Sequence, residues 1–296
     1  LGLALLAAAV WAVAKDASNL RDAWLSIKAS PPLLLLALFA LPLASWSLTA
    51  LMYCALTNRD RDIVRRRHVG VGEMHAVLGT AWLLNFLPAR PGMVGRIAYH
   101  TQVNRIPLPS VLKASLGAIA CGVLASALLV ALALAMLALP HATPALAQVA
   151  LLALPAALLA ASACALRTRE ALRRGLLALL ARYLDVLTWL ARYATIFAML
   201  GRPLSLLEAS ALTAASQAAN MVPLVGNGMG IREWASALLA PALPPSTAAA
   251  ALATPLTRSL TLSAELIHRA AEILVAIPVG LVSLWFVTRR LTSTKA

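Results

Sequence analysis

Two stretches of the chain set arginine beside a break in apolar helix, and the chemistry they could support is that of an anion site. The first holds Asn85, Pro88, Arg90, Pro91-Gly92-Met93, Gly95 and Arg96. The second holds Asn220, Pro223, Asn227, Gly228-Met229, Gly230, Arg232 and Glu233, repeating the order with a common offset between the two asparagines and the two prolines. A helix that restarts after such a break presents free N–H groups and the positive end of its dipole, both of which favour an anion. An arginine just inside it adds a planar, permanently charged fork that suits phosphate oxygens better than lysine does.

Other residues compete for that role or explain it away. Arg192 and Arg258 fall near the middles of apolar segments, where arginine costs at least about 2.5–3.5 kcal/mol on insertion scales and is a functional candidate by default. Internal pairing is the alternative: Asp185 sits between Arg182 and Arg192, and Glu233 adjoins Arg232. Asn85, Asn220 and Asn227 can cap freed backbone groups or meet a headgroup. Glu233 serves equally as a proton or counter-ion site. Glu265, His268, Arg269 and Glu272 cluster where two helices are expected to join, and His268 could titrate near neutral pH.

Enzyme signatures are absent from the pattern. Gly226-Asn227-Gly228 supplies no serine nucleophile, and no H-E-x-x-H or paired Cys/His set offers a metal site. The glycines from 226 to 230 lack the strand and spacing of a dinucleotide loop. Asp60 and Asp62, flanked by arginines, read as a solvated charge run. Cys54, Cys121 and Cys164 each lie in an apolar run and read as packing residues. No enzyme activity, cofactor or metal is expected.

The elements that must carry these residues are membrane helices. The 296 residues are 61% hydrophobic and 12% charged, with a mean hydropathy of +0.83, which describes one integral membrane domain over residues 1–296. The net charge of +14 sits in arginine clusters between apolar segments, as the positive-inside tendency requires, and does not call for nucleic acid. Residues 1–14 form a first helix or the apolar region of a signal peptide ending at Ala12-Val13-Ala14. Residues 15–30 read as an amphipathic surface helix and 31–57 as a crossing, followed by the basic cluster 59–68 on the cytoplasmic side. Residues 73–105 are too short and polar for two crossings and read as a re-entrant hairpin. Crossings follow at 109–139, 150–166 and 184–200, with an interfacial stretch before the last. A second hairpin pairs 206–222 with 229–240. Residues 246–267, with Arg258 near the centre, and 270–287 complete the count as two helices. That count leaves Arg289, Arg290 and Lys295 outside, against the charge rule.

The expected fold is therefore an all-α polytopic membrane protein with pseudo-inverted repeats and two re-entrant helical hairpins. Repeat 1 covers about 1–139, repeat 2 about 145–267, and an extra helix 270–288. Paired broken helices in two halves point to a transporter's binding site near the midplane.

At these residues the sequence resembles the flippase-like family related to the transmembrane region of lysylphosphatidylglycerol synthase. The resemblance rests on Asn220, Pro223, Gly226-Asn227-Gly228, Gly230 and Glu233, on the earlier Asn85, Pro88, Pro91-Gly92, Gly95 and Arg96, and on a late arginine, Arg258 or Arg269. The chain has Val225-Gly226-Asn227 where the family has Pro-Gly-Gly. These 296 residues hold no aminoacyl-transferase domain, so lysyl transfer is not implied. What the resemblance implies is a lipid flippase of the bacterial cytoplasmic (inner) membrane, moving an anionic phospholipid or a polyprenyl-phosphate lipid between leaflets. Its partners would be membrane lipids with an anionic headgroup, with a second copy of the chain or an envelope-biosynthesis enzyme beside it. Two alternatives stay open: a non-transporting partner of a cell-envelope lipid or glycolipid enzyme, and a membrane-embedded lipid-modifying enzyme using Glu233 or His100.

Overall fold

Leucine- and alanine-rich runs become helices here because hydrocarbon offers no hydrogen bonds, so each segment must satisfy its own backbone. The computed structural model describes residues 2–14, 25–59, 68–87, 90–137, 145–220, 228–243 and 256–293, and among them every regular element is helical. Helix α1 is Gly2–Ala14, α2 Pro32–Thr57, α3 Val71–Leu84, α4 Pro91–Gln102, α5 Leu108–Leu137, α6 Ala145–Ala165, α7 Glu170–Met199, α8 Leu206–Asn220, α9 Ile231–Leu239 and α10 Arg258–Ser293. Four stretches, in α2, α5, α6 and α10, are long and apolar enough to cross a membrane. Helix α7 is as long as α5, but its polar residues face inward: Asp185 and Arg192 are buried.

Helix α7 is the centre of the bundle. It packs along α2, and α5, α6 and α8 lie against it. Leu38, Trp189, Tyr193, Ile196, Phe197 and Leu212 form the main apolar cluster between α2, α7, α8 and α10. Helix α1 is tied in through Ala9, which is buried against Ala237 and Leu262.

Two pairs of short helices flank this centre. In the first, α3 and α4 run antiparallel, because the Tyr99 hydroxyl near the end of α4 donates to Glu73 in the first turn of α3 at 3.0 Å. Gly92 makes the close approach possible: a Cβ there would stand 2.1 Å from the Ala81 carbonyl oxygen. In the second pair, α8 and α9 pack on each other. Gly230 caps α9 with φ 80°, a left-handed conformation that favours glycine, and its N–H donates to Glu233 at 2.7 Å.

The last part of the chain corrects the crossing count. Residues 258–293 form one unbroken helix, so the expected separate helices ending at 267 and starting at 270 do not exist. Arg258 is the exposed first residue of α10 and lies at the helix end, far along the chain from its centre. Arg290, near the other end, pairs with Glu73 at 3.1 Å. Asn58 is bonded to both the N–H and the carbonyl of Val69, at 3.0 and 2.9 Å, so the end of α2 lies there too. Arg59 and Arg290 thus share one end of the bundle, and the conflict with the charge rule disappears. The interfacial stretch expected before residue 184 is likewise part of one continuous α7.

Candidate functional site

Between the two short-helix pairs the bundle lines an open cavity of about 320 Å³, within the size range of small-ligand pockets. Its wall is built from one face of α2 (Ser45, Trp46, Thr49, Tyr53), the end of α3 (Ala81, Trp82), and a stripe on α7. That stripe is Arg182, Asp185, Trp189 and Arg192, spaced to fall on one side of a helix. Helices α8, α9 and α10 add Gln217, Asn220, Arg232 and Glu272. Arg90, at the N-terminal cap of α4, and Arg96 inside it complete the wall.

Five arginines therefore line one cavity against two carboxylates, Asp185 and Glu272. Burying them is tolerable because each is hydrogen-bonded, paired or stacked. Glu272 holds two of them, forming an ion pair with Arg192 at 2.9 Å and accepting from Arg232 at 3.0 Å. Arg232 also meets Glu265 at 3.1 Å, and Glu265 accepts from Tyr193. Asp185 is held by Arg182 and by the Ser45 hydroxyl, and Arg182 donates to Gln217 at 2.7 Å. Trp189 lies under the guanidinium groups of Arg192 and Arg232, at 4.6 and 5.4 Å.

The α4 arginines are held differently. Arg96 donates to the Ser115 hydroxyl at 3.0 Å and stacks over Tyr53 at 4.0 Å, and no carboxylate among the described residues pairs with it. Arg90 takes a left-handed backbone, φ 49° and ψ 56°, which a side-chain-bearing residue adopts at a cost. In that conformation its guanidinium reaches the carbonyl of Asn220, the last residue of α8, at 2.9 Å. The two helix pairs are joined through this bond.

The structure sorts the residues singled out from sequence. Asn85, Arg90, Arg96, Arg192, Asn220 and Arg232 come together on the cavity wall. Asn85 settles as a cap, its side-chain oxygen accepting the Met93 N–H at 3.1 Å. Glu233 and Arg269 are buried behind the wall and bind each other, at 2.8 and 2.9 Å, so Glu233 partners Arg269 more closely than its neighbour Arg232 at 4.0 Å. Arg258 is exposed and does not line the cavity. Asn227, with Pro88, Pro223 and Gly226, lies outside the described residues.

Gln217, Trp46, Trp82 and Tyr53 line the cavity and were not singled out from sequence, and Arg182 entered there only as a pairing partner of Asp185. The signal for α7 was available: Arg182, Asp185, Trp189 and Arg192 mark a polar stripe in an apolar helix. Among the described residues no group of three His, Cys, Asp or Glu side chains is placed to hold a metal ion. In comparisons with known proteins, no family model, no curated protein and no solved structure matches this chain. The arrangement of its own residues is what defines the site: a buried set of guanidinium donors, pre-oriented by carboxylates and aromatic rings, that can hold an anion.

Proposed function

We propose that the protein carries a lipid with an anionic headgroup between the two leaflets of a membrane, the headgroup resting among the arginines of the central cavity. The observation that carries this reading is the meeting of Arg90, Arg96, Arg182, Arg192 and Arg232 in one cavity beside the C-terminal half of α2, a membrane-length helix. Placing that much guanidinium at such depth is costly, and an anion is the partner that would offset it.

Two further features favour a lipid over a soluble anion. A second cavity, apolar and about 830 Å³, is lined by Leu35, Leu38 and Phe39 of α2 with Ile267, Ala270 and Leu274 of α10. Leu35, Leu38, Ser45, Trp46, Thr49 and Tyr53 follow one face of α2, so this apolar groove and the arginine cavity lie in succession along the same helix. An acyl or isoprenoid chain would occupy the groove. The second feature is length: at about 1.5 Å per residue, α3, α4, α8 and α9 are each shorter than the roughly 30 Å of hydrocarbon in a bilayer. In the proposed reading both pairs are re-entrant hairpins whose tips meet at mid-membrane, related as the two halves of an inverted repeat. Rocking of one half against the other would alternate access.

The test is leaflet exchange of headgroup-labelled lipids in liposomes holding the purified protein. Arg96→Gln is the variant of choice, because Arg96 leaves no carboxylate unpaired when its charge is removed. Exchange of an anionic lipid by the wild type that falls at least roughly tenfold in Arg96→Gln, with unchanged thermal stability, is expected from loss of a charge-assisted contact. Wild-type liposomes that exchange no lipid faster than empty ones would overturn the proposal.

A further inference from the structure

The two carboxylates on the cavity wall are held in different ways. Asp185 is shared between the Ser45 hydroxyl and the Arg182 guanidinium. Among the described residues Glu272 has only arginines as hydrogen-bond and ion-pair partners: Arg192 at 2.9 Å, Arg232 at 3.0 Å and Arg269 at 3.6 Å. Arg192 in turn is ion-paired to no described carboxylate but Glu272. Four groups on the same wall have hydrogen to give and no acceptor: the Nη2 atoms of Arg192 and Arg232, the Gln217 amide nitrogen and the Trp46 indole N–H. Buried donors left without acceptors are costly, so a ligand with anionic oxygens completes them.

The charges that Glu272 faces come from three helices. Helix α7 brings Arg192, α9 brings Arg232, and α10 itself brings His268 and Arg269. Glu233 and Glu265 stand behind, paired with Arg269 and Arg232. Helices α2 and α3 turn uncharged side chains to the cavity, α1 has no ionisable side chain, and α4 adds Arg90 and Arg96 to the same wall. An anion that takes the free donors of Arg192 and Arg232 therefore meets Glu272 on the same two guanidinium groups. Two negative groups sharing one pair of buried cations are costly together, and a proton on the carboxylate removes the conflict.

Resting on the lipid-carrier reading above, we propose that each anionic headgroup crosses together with one proton, and that Glu272 carries the proton. In the empty cavity Glu272 is the counter-ion of Arg192 and Arg232. When headgroup oxygens take over those guanidinium groups, the released carboxylate accepts a proton from water on the side where the lipid entered. When the lipid leaves into the other leaflet, the arginines reclaim the carboxylate and the proton passes to water there. A singly charged headgroup and its proton move no net charge, so a pH difference drives the lipid and a membrane potential does not. Glu233, bound to Arg269 behind the wall, has no such exchange to make.

The experiment follows acyl-labelled phosphatidylglycerol in liposomes holding the full chain, with empty liposomes as the baseline. A pH difference is imposed at zero potential, or a potassium diffusion potential at equal pH, and a membrane-impermeant quencher reports the share of label in the outer leaflet. With the outside more alkaline by one unit, the lipid is expected to gather in the outer leaflet by up to about tenfold, the ratio of the proton concentrations, while the potential alone leaves it evenly spread. A distribution that follows the potential and ignores pH would overturn proton coupling and leave the anionic-lipid reading standing. No exchange above the empty liposomes would overturn both. Glu272→Gln, a permanently neutral carboxyl, should make the distribution follow the potential, and pH-driven accumulation surviving in that variant would overturn Glu272 as the carrier. The wild-type comparison decides the coupling even where the glutamine variant does not fold.

Discussion

The guanidinium of Arg90 donates to the backbone carbonyl of Asn220 at 2.9 Å, and this bond joins the start of α4 to the end of α8 across the cavity. Because the acceptor is main chain, no substitution at Asn220 removes it. The bond depends on the Arg90 side chain, which reaches across from a backbone conformation that glycine would adopt more easily.

Arg90→Gly therefore separates strain from contact. Relief of the left-handed backbone is worth about 1 kcal/mol or more, which offsets part of the lost hydrogen bond. Thermal stability in detergent should change little while lipid exchange collapses. Asn220→Ala should keep most of the exchange. Equal loss in both variants would show that the Asn220 side chain, and not the tie between helix pairs, is what matters.

Gly92 and Gly95 offer a paired test of how tightly α4 sits on α3. A Cβ at Gly92 would meet the Ala81 carbonyl oxygen at 2.1 Å, whereas nothing lies within 4 Å of one at Gly95. Gly92→Ala should destabilise by about 1–3 kcal/mol through overpacking against backbone that cannot yield. Gly95→Ala should be neutral or slightly stabilising, since alanine favours helix. Melting temperatures of the two variants, measured side by side, decide it.

Glu272 and Glu73 are both ion-paired glutamates with side chains mostly buried, and what differs is the burial of their arginine partners. Glu272 holds Arg192 and Arg232 with its side chain 6% exposed, while the Glu73 partner Arg290 is 49% exposed. Glu272→Gln leaves two buried guanidinium groups under-compensated and should cost about 3–5 kcal/mol. Glu73→Gln should cost about 1 kcal/mol or less, with the effect shrinking in high salt. Denaturation midpoints at low and high salt distinguish the two cases.

Away from the cavity, Arg202 and Glu208 form a bidentate pair at 2.7 and 2.8 Å, both residues buried. Arg202→Met strands a buried carboxylate and should cost about 3–5 kcal/mol. Adding Glu208→Leu should recover most of it, because a well-packed apolar pair replaces a buried ionic one at little loss. If the double variant is as unstable as the single one, the pair holds the α7–α8 connection by geometry and not by charge.

The sequence and the structure agree most closely where a helix ends. Pro91-Gly92, Gly230 and the capping Asn85 are local signals, so the restart of α4 and α9 with Arg96 and Arg232 inside them was legible from the residues themselves. Ion-pair partners were not. Arg232 finds Glu272 across 40 residues of chain, and its adjacent Glu233 turns to Arg269 instead. No periodicity encodes such a choice. The continuity of α10 was hidden for a related reason. His268, Arg269 and Glu272 look like a polar junction in a linear reading, yet they are a buried stripe on one helix facing the arginines of α7 and α9. Polar residues mark a helix end or a buried polar face equally well, and what decides is the partner from elsewhere in the chain.

The wide spacing of that buried network has a bearing on how the protein is made. Arg192 and Arg232 leave the ribosome before Glu265 and Glu272, the carboxylates that neutralise them. Arg192 is thus delivered to the membrane as an isolated cation, at an insertion cost of about 2.5–3.5 kcal/mol, until the last helix arrives. Assembly of α7 should remain provisional until α10 is complete. A chain stopped before α10 would keep an unneutralised charge at its centre, a feature that membrane quality control could recognise as unfinished.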